Sequence, residues 1–419
     1  MRKRLRRSQP VVGFFWICFL AAAAFAYAMF QGGFVSWFLF YSVLPLWLYV
    51  IAISAFPMSS LEGEREISQE VFASGAAMRV QVTIRNRSWF PLFFLIVHDK
   101  LPERLEKNAL GETKDYRTGS RALFFPGLKR QVQYTYTVKP MPRGEFELAE
   151  IKLKTGDIFG FIQKSFTLSC EQQILVYPRY DEIHFWEPPA HHDEGSRRSR
   201  KSLQYDITSV ASVRDYTPGD RLSWLDWKST ARTNKLLTKE FERPLNEDFV
   251  VCVDRYARHY GKNDPVFERI ITTAASVIRF ALNHGSSVAL VSFGREKTVI
   301  PFAGGTEQQW RIFYHLARTA PDGTVNDLPL LQQSFRRFPS RSNIVYITPV
   351  VDERLLQLVN SLISSMRKVT VFLVAEENEQ PGAKPEDIQR VRHLGADVIV
   401  WNGRDLNEAL KAGAHYATN

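Results

Sequence analysis

Cysteine is scarce. The 419 residues hold only Cys18, Cys170 and Cys252, an odd number, far apart, with no Cys-x-x-Cys pair. This argues against a disulfide framework or a thiolate zinc site and suits a reducing compartment. Charge is absent over one long stretch, with no Asp, Glu, Lys or Arg between Arg7 and Glu62. Also lacking are a glycine-rich phosphate loop, a nucleophile elbow, an His-Glu-x-x-His helix and zinc-ligand spacings. The commonest signs of nucleotide, serine or metalloprotease chemistry are therefore missing. No nucleic-acid module is present either.

What is there begins with that uncharged stretch. Residues 11–30 and 34–56 are apolar runs split at Gln31-Gly32-Gly33, and about 20 apolar residues suffice to span a bilayer. Trp37, Tyr41, Trp47 and Tyr49 suit interfacial zones, and Pro45 is tolerable in a membrane helix. Arg2, Lys3, Arg4, Arg6 and Arg7 precede the first run. They hold the N-terminus in the cytoplasm by the positive-inside rule. Two spans then return the chain to the same side. The expected protein is multi-pass in the cell membrane, both termini cytoplasmic, with residues 1–60 as a transmembrane hairpin. A cleaved signal peptide is the alternative for the first run. The net charge of +10 also draws on Arg197, Arg198, Arg200 and Lys201. Anionic lipid is the expected partner of these basic runs, not nucleic acid.

Residues 61–178 show period-two alternation, clearest at Val80, Val82 and Ile84 and again through Val132, Tyr134, Tyr136 and Val138. Strands are expected at 78–84, 92–97, 131–138, 146–153, 161–168 and 173–177, separated by turn residues. They imply an antiparallel, Ig-like β-sandwich acting as a spacer. Asp157 sits in a turn, where it satisfies amides. Residues 179–245 form a connector. Its His184, His191 and His192 lie near Asp193 and Glu194, but their proline- and charge-rich flanks read as a polar loop, not a metal site.

The connector ends in a dense polar and aromatic stretch, residues 213–242. Its ordered pieces are Arg214-Asp215-Tyr216, Pro218-Gly219-Asp220, Leu225-Asp226-Trp227-Lys228, Ser229-Thr230-Ala231-Arg232 and Lys239-Glu240-Phe241-Glu242. These pieces resemble the signature of the family known as domain of unknown function 58. Ser223-Trp224 stands where that family often has an Arg. The stretch reads as a docking surface, or as a buried polar network through Arg214, Asp220 and Arg232. An enzymatic reading would make Asp226 a base beside Lys228. The resemblance implies partners: members commonly occur with MoxR-type AAA+ ATPases and transglutaminase-like membrane proteins.

From residue 246 to 419, short apolar strands alternate with amphipathic helices. This implies a doubly wound α/β domain with a mostly parallel sheet covered on both faces. Ligands of such sheets bind beyond the carboxyl ends of the strands, where Asp254 stands. The domain resembles the von Willebrand factor A domain, whose ion site uses Asp-x-Ser-x-Ser, a loop Thr and a second Asp. Here Asp254 is kept, Tyr256 and Arg258 replace the two Ser, Thr324 supplies the loop Thr, and Thr348-Pro349 replaces the second Asp. A metal-free relic is expected, with Arg255 or Arg258 compensating Asp254, no cofactor and no catalytic residue. The function expected is a membrane-anchored cytoplasmic scaffold that binds a protein partner. The alternative is a metal-assisted hydrolase.

Overall fold

The computed structural model describes residues 11–55, 58–111, 117–157, 162–186, 210–216, 224–233, 235–241, 248–261, 265–324, 327–340, 342–377, 382–402 and 405–416. The chain divides into two compact units, residues 1–177 and 178–419.

The first unit starts with two apolar helices, α1 (Val11–Gln31) and α2 (Phe34–Ala55), separated at Gly32, where φ is +59°. A positive φ is a glycine conformation and ends α1 cleanly. Residues Phe34–Ser54 of α2 are long and apolar enough to cross a membrane, and Cys18–Gln31 is a shorter apolar stretch. Pro45 lies inside α2 without ending it.

Ten strands and a short helix follow: β1 (Leu61–Ile67), β2 (Val71–Ala73), β3 (Met78–Asn86), β4 (Leu95–Lys100), α3 (Glu103–Glu106), β5 (Ala109–Gly111), β6 (Arg117–Thr118), β7 (Arg121–Phe124), β8 (Gln131–Val138), β9 (Gly144–Gly156) and β10 (Gln163–Tyr177). They form a four-stranded sheet, β1-β3-β8-β5, and a six-stranded sheet, β2-β10-β9-β4-β7-β6. Both sheets contribute side chains to one apolar core, among them Val80, Val82, Tyr136, Leu148 and Phe166. The strand expected at 92–97 begins at Leu95 instead, after a loop carrying Trp89 and Pro91. The two strands expected at 161–168 and 173–177 are one, β10, with a register shift between Ser169 and Gln172.

That bulge has a consequence inside the core. An extra residue leaves ladder groups unpaired. The Cys170 carbonyl accepts from Arg65 Nη1 at 2.7 Å, and the same nitrogen reaches the Leu148 carbonyl at 3.0 Å. Arg65 is held in turn by a two-pronged ion pair with Asp99, and the Tyr136 hydroxyl donates to Asp99 Oδ2 at 2.7 Å. Both charged side chains are fully buried. A buried charge without its partner costs roughly 3–5 kcal/mol, whereas removing both partners costs far less. Asp99→Ala should therefore lower the unfolding free energy by about that amount in denaturant titrations. Arg65→Met combined with Asp99→Leu should lower it by much less than the sum of the single changes.

In the second unit, β11 (Val210–Asp215), α4 (Trp227–Thr233) and β12 (Leu237–Phe241) make a two-stranded antiparallel ladder with a helical turn between the strands. The α/β body runs β13 (Phe249–Val253), α5 (Pro265–Asn283), β14 (Val288–Phe293), β15 (Lys297–Ala303), α6 (Gly305–Arg318), α7 (Asp327–Phe335), β16 (Asn343–Thr348), α8 (Glu353–Ile363), β17 (Lys368–Val374), α9 (Pro385–His393), β18 (Asp397–Trp401) and α10 (Leu406–Tyr416). Its sheet order is β15-β14-β13-β16-β17-β18, parallel except for the antiparallel edge strand β15. All five residues of β13 are buried. That explains its unbroken apolar run, since a central parallel strand faces core on both sides.

Residues 178–186 are packed onto this body. The Trp186 ring meets Phe249, Phe280 and Phe372, and Ser276 Oγ accepts from the Asp181 amide at 2.9 Å. The His184 amide donates to Asn407. His191, His192, Asp193, Glu194 and the basic run 197–201 lie outside the described residues.

Candidate functional site

From β13 the chain proceeds to β14 on one side and, later, to β16 on the other. The carboxyl ends of β13 and β16 therefore bound a crevice where the strand order reverses, the usual binding position in an open α/β sheet. A cavity of about 60 Å³ lies there, lined by Asp254, Tyr256, Thr324 and Thr348, and also by His259 and Asp352. The structure thus brings together four of the five residues anticipated at this site. Arg258 does not line the cavity, and it is exposed in a short 3₁₀ turn.

Asp254 is 5% exposed. Its Oδ1 accepts from the Tyr256 amide at 2.9 Å. Its Oδ2 accepts from Thr348 Oγ1 at 2.8 Å and lies 2.7 Å from His259 Nδ1. His259 Nε2 is 3.4 Å from Asp352 Oδ2, while Asp352 Oδ1 accepts from the Leu355 amide and caps α8. The imidazole is thus held between two carboxylates. Burial opposes its charge, but the hydrogen bonds to Asp254 and Asp352 outweigh it and push the pKa up to about 9. Burial likewise opposes ionisation of Asp352, yet the His259 hydrogen bond and the helix amide hold its carboxyl below the usual range. Above the cluster, the Tyr256 ring stands edge-on to His259 at 4.8 Å, and the Arg354 guanidinium lies over the same ring at 3.9 Å.

The expectation that Arg255 or Arg258 neutralises Asp254 is corrected by this geometry. Arg255 turns to the neighbouring loop. It donates to the Ala320 carbonyl, to Ser292 Oγ and, at 2.6 Å, to Asp322. Gly294 and Gly323 permit this approach. A Cβ on Gly294 would lie 2.1 Å from Asp322 Oδ1, and one on Gly323 would lie 2.8 Å from the Arg255 carbonyl oxygen. The loop is also bridged to β13 by Gly323 donating to the Arg255 carbonyl at 2.7 Å, which brings Thr324 to the cavity. Another histidine of this unit shows the opposite outcome. Burial and the nearby Arg255 push His315 down to about 4. The attraction of Glu296 does not offset burial and the cations there, whereas two carboxylates hold His259 on either side.

The donor set does not suit a divalent cation. Magnesium requires near-octahedral oxygen ligands with free carboxylate oxygens. Both oxygens of Asp254 already accept protein hydrogen bonds, and an imidazolium stands at the outer one. Among the described residues no cluster of three or more His, Cys, Asp or Glu could hold a metal.

The described residues of the signature stretch lie in and beside the β11–α4–β12 ladder. Arg214 and Asp215 are on β11 and Glu240 is on β12, with the side chains of Arg214 and Glu240 outside the description. Asp215 is exposed, and the Tyr216 amide donates to the Leu236 carbonyl. Gly219 and Asp220 lie outside the described residues. Asp226 caps α4: its Oδ1 accepts from the Lys228 and Ser229 amides, and its Oδ2 from the Ser229 hydroxyl. Those bonds occupy the atoms that a general base would need. Lys228 and Arg232 are exposed, and Trp227 is 66% exposed, because this seven-residue helix buries none of its side chains. Arg232 therefore belongs to no buried network.

Residues 212–381 match the model of the family described as "Protein of unknown function DUF58". The "Uncharacterized protein YeaD" of Bacillus subtilis (strain 168) is 35% identical over 299 residues, which is 71% of this chain and 72% of that protein. The chain belongs to the DUF58 family. The DUF58 match takes in β11 to β17, and so both the signature stretch and every residue of the Asp254 cluster. Two solved structures show weaker likeness. An aerotolerance-related membrane protein of Bacteroides fragilis NCTC 9343 is 16% identical at a TM-score of 0.29, covering 40% of this chain and 97% of its own. The PilB minor pilin of Streptococcus sanguinis is 11% identical at a TM-score of 0.29, covering 78% and 87%. Neither likeness carries an argument at such scores.

Sequence reasoning missed His259, Asp352 and Arg354. The available signal was a histidine five positions after Asp254 and a helix-capping aspartate four positions after Thr348. A raised histidine pKa stabilises the fold fully below about 6.5, and that contribution is lost as pH rises through about 9. The depressed Asp352 adds stability above about 3.8, lost as pH falls through its lowered pKa. His259→Gln should lower the melting temperature at neutral pH by roughly 5–10 °C. The unaltered protein should lose stability between pH 6.5 and 9, and the substitution should flatten that decline, as followed by thermal melts across pH.

Proposed function

We propose that the chain is a membrane-anchored cytoplasmic scaffold whose von Willebrand factor A-like α/β unit binds a protein partner at its switch-point face. Helices α1 and α2 form a two-span hairpin with both termini cytoplasmic, and the two sheets of the first unit form an Ig-like β-sandwich spacer. Support for the hairpin comes from the Phe25–Phe40 ring contact at 5.5 Å and from the mutual hydrogen bonds of Gly33 and Ser36 at the turn. The basic residues before α1 support the orientation.

The observation that carries the reading is the crevice filled by its own side chains. The His259 imidazolium lies between the Asp254 and Asp352 carboxylates and offsets one of their two charges, and the Tyr256 ring, with Arg354 over it, stands against His259. A small substrate would find neither a free ligand atom nor a pocket of the usual several hundred Å³. A protein partner would find an aromatic and cationic rim, the composition favoured at binding hot spots. The exposed Trp227 offers a second anchor of the same kind. Family resemblance suggests a MoxR-type AAA+ ATPase as partner, or a transglutaminase-like membrane protein. The alternative, a metal-assisted hydrolase, gains no support from a carboxylate whose oxygens are both taken.

Arg354→Glu and Trp227→Ala should leave the fold intact and reduce recovery of a cross-linked membrane partner by about tenfold or more, the loss of a hot-spot residue. Quantitative co-purification from membranes is the measurement. Unchanged partner recovery in both variants would remove this reading.

A further inference from the structure

The first unit carries an apolar surface that the anchor alone does not explain. Among described residues 58–177, the exposed large hydrophobic side chains are Val71, Trp89, Phe93, Phe125 and Leu128, and the last four lie on two loops, 87–94 and 125–130. Trp89 is 82% exposed and Leu128 is 83% exposed. The loops are one structure: Leu92 and Gly127 exchange amide hydrogen bonds at 3.1 and 2.9 Å, and the Phe93 and Phe125 rings meet at 6.0 Å. Contiguous exposed apolar groups of this size mark an interaction surface.

Their position indicates what covers them. Phe90, whose ring contacts Trp89, packs against a cluster formed by Val50 and Ile53 of α2 with Ile162, beside Trp47 and Tyr49. Val50 and Ile53 fall five and two positions before Ala55, the end of α2, so at 1.5 Å per residue Phe90 sits about 3–8 Å from that end. This is the depth of the interfacial layer for a helix that crosses the bilayer, where Trp and Tyr gather. Lys164 Nζ donates to the Ser54 carbonyl at 2.6 Å, placing a cation at the same level. Arg87, which pairs with Glu62, and Lys129 and Arg130 are exposed on or beside the two loops. Bulky apolar tips flanked by basic side chains, next to the exit of an apolar helix, match an anionic membrane interface.

We infer that loops 87–94 and 125–130 form a second membrane contact, inserting Trp89, Phe93, Phe125 and Leu128 into the interfacial layer of the bilayer beside α2. This rests on the reading of α2 as a membrane span. The contact braces the first strands against the lipid surface and limits how the spacer tilts.

The test uses the full chain in vesicles containing anionic lipid. An environment-sensitive fluorophore is placed on Leu128→Cys, Trp89→Cys or Leu48→Cys in a chain carrying Cys18→Ser, Cys170→Ser and Cys252→Ala. Quenching is compared between lipids spin-labelled near the headgroup and near the chain end. The Leu48 probe reports the anchor, and the other two report the loops. Quenching at Leu48, with loop probes quenched at least about twofold more by the shallow label than by the deep one, is the expected result. Quenching at Leu48 with unquenched loop probes overturns the inference and leaves the anchor standing. No quenching at Leu48 removes the anchor and the inference together. Should the substituted chain misfold, brominated lipids and the natural chain give the same answer: Trp89→Phe must remove a shallow-quenched part of the tryptophan emission. An unchanged quenching profile would overturn the inference.

Discussion

A carboxylate buried at the end of a central strand has to be compensated, and the arrangement around Asp254 follows from that need. The strand cannot release it, because β13 is buried along its whole length. Leaving the charge alone would cost several kcal/mol. Three donors converge on it, one amide, one hydroxyl and one imidazole, and only the imidazole brings positive charge. The imidazole would itself be under-satisfied without Asp352, which the capping of α8 holds in place. A chain of hydrogen bonds thus links the ends of β13 and β16 to the start of α8. The crevice between the two strands is closed by the same atoms that compensate Asp254.

The first unit solves a similar problem with different residues. Arg65 and Asp99 are sealed in the core, and the arginine also serves carbonyls near the irregular step of β10. In both units a buried ionic group fixes a non-repetitive piece of backbone, a bulge in one and a strand-to-helix crevice in the other. Neither pair is strong evidence of stability by itself, since an apolar replacement of both partners is often neutral. Losing one partner alone would leave the other charge buried without compensation.

Much of the architecture was legible because burial writes a period into sequence. Alternation at Val80, Val82 and Ile84 marked β3, and an unbroken apolar run marked the parallel strand β13. The bulge in β10 was not legible. Ser169-Cys170-Glu171-Gln172 breaks the apolar alternation and reads as a gap between two strands, whereas pairing with β9 carries one strand through it. At the site, Asp254 could be found from its place after β13, and Thr348 and Thr324 from comparison with a known ion site. The compensating cation could not, because adjacency in sequence favoured Arg255 and Arg258. The left-right alternation after the strand sends Arg255 toward Asp322, and the 3₁₀ turn brings His259 back over the carboxylate. The exposed state of α4 was equally hidden, since its mixture of Trp227 with Lys228 and Arg232 fits a buried network as well as a solvated turn.

The charge on His259 is the most direct measure of this compensation. Nitrogen-15 NMR of histidine-labelled full-length protein, with the signal assigned by its loss on His259→Gln, reads the protonation of both ring nitrogens. A doubly protonated imidazole at pH 7.5, unmoved by millimolar magnesium, is the expected spectrum. A neutral ring at that pH, or a signal displaced saturably by magnesium, would contradict a buried Asp254 carboxylate compensated by His259.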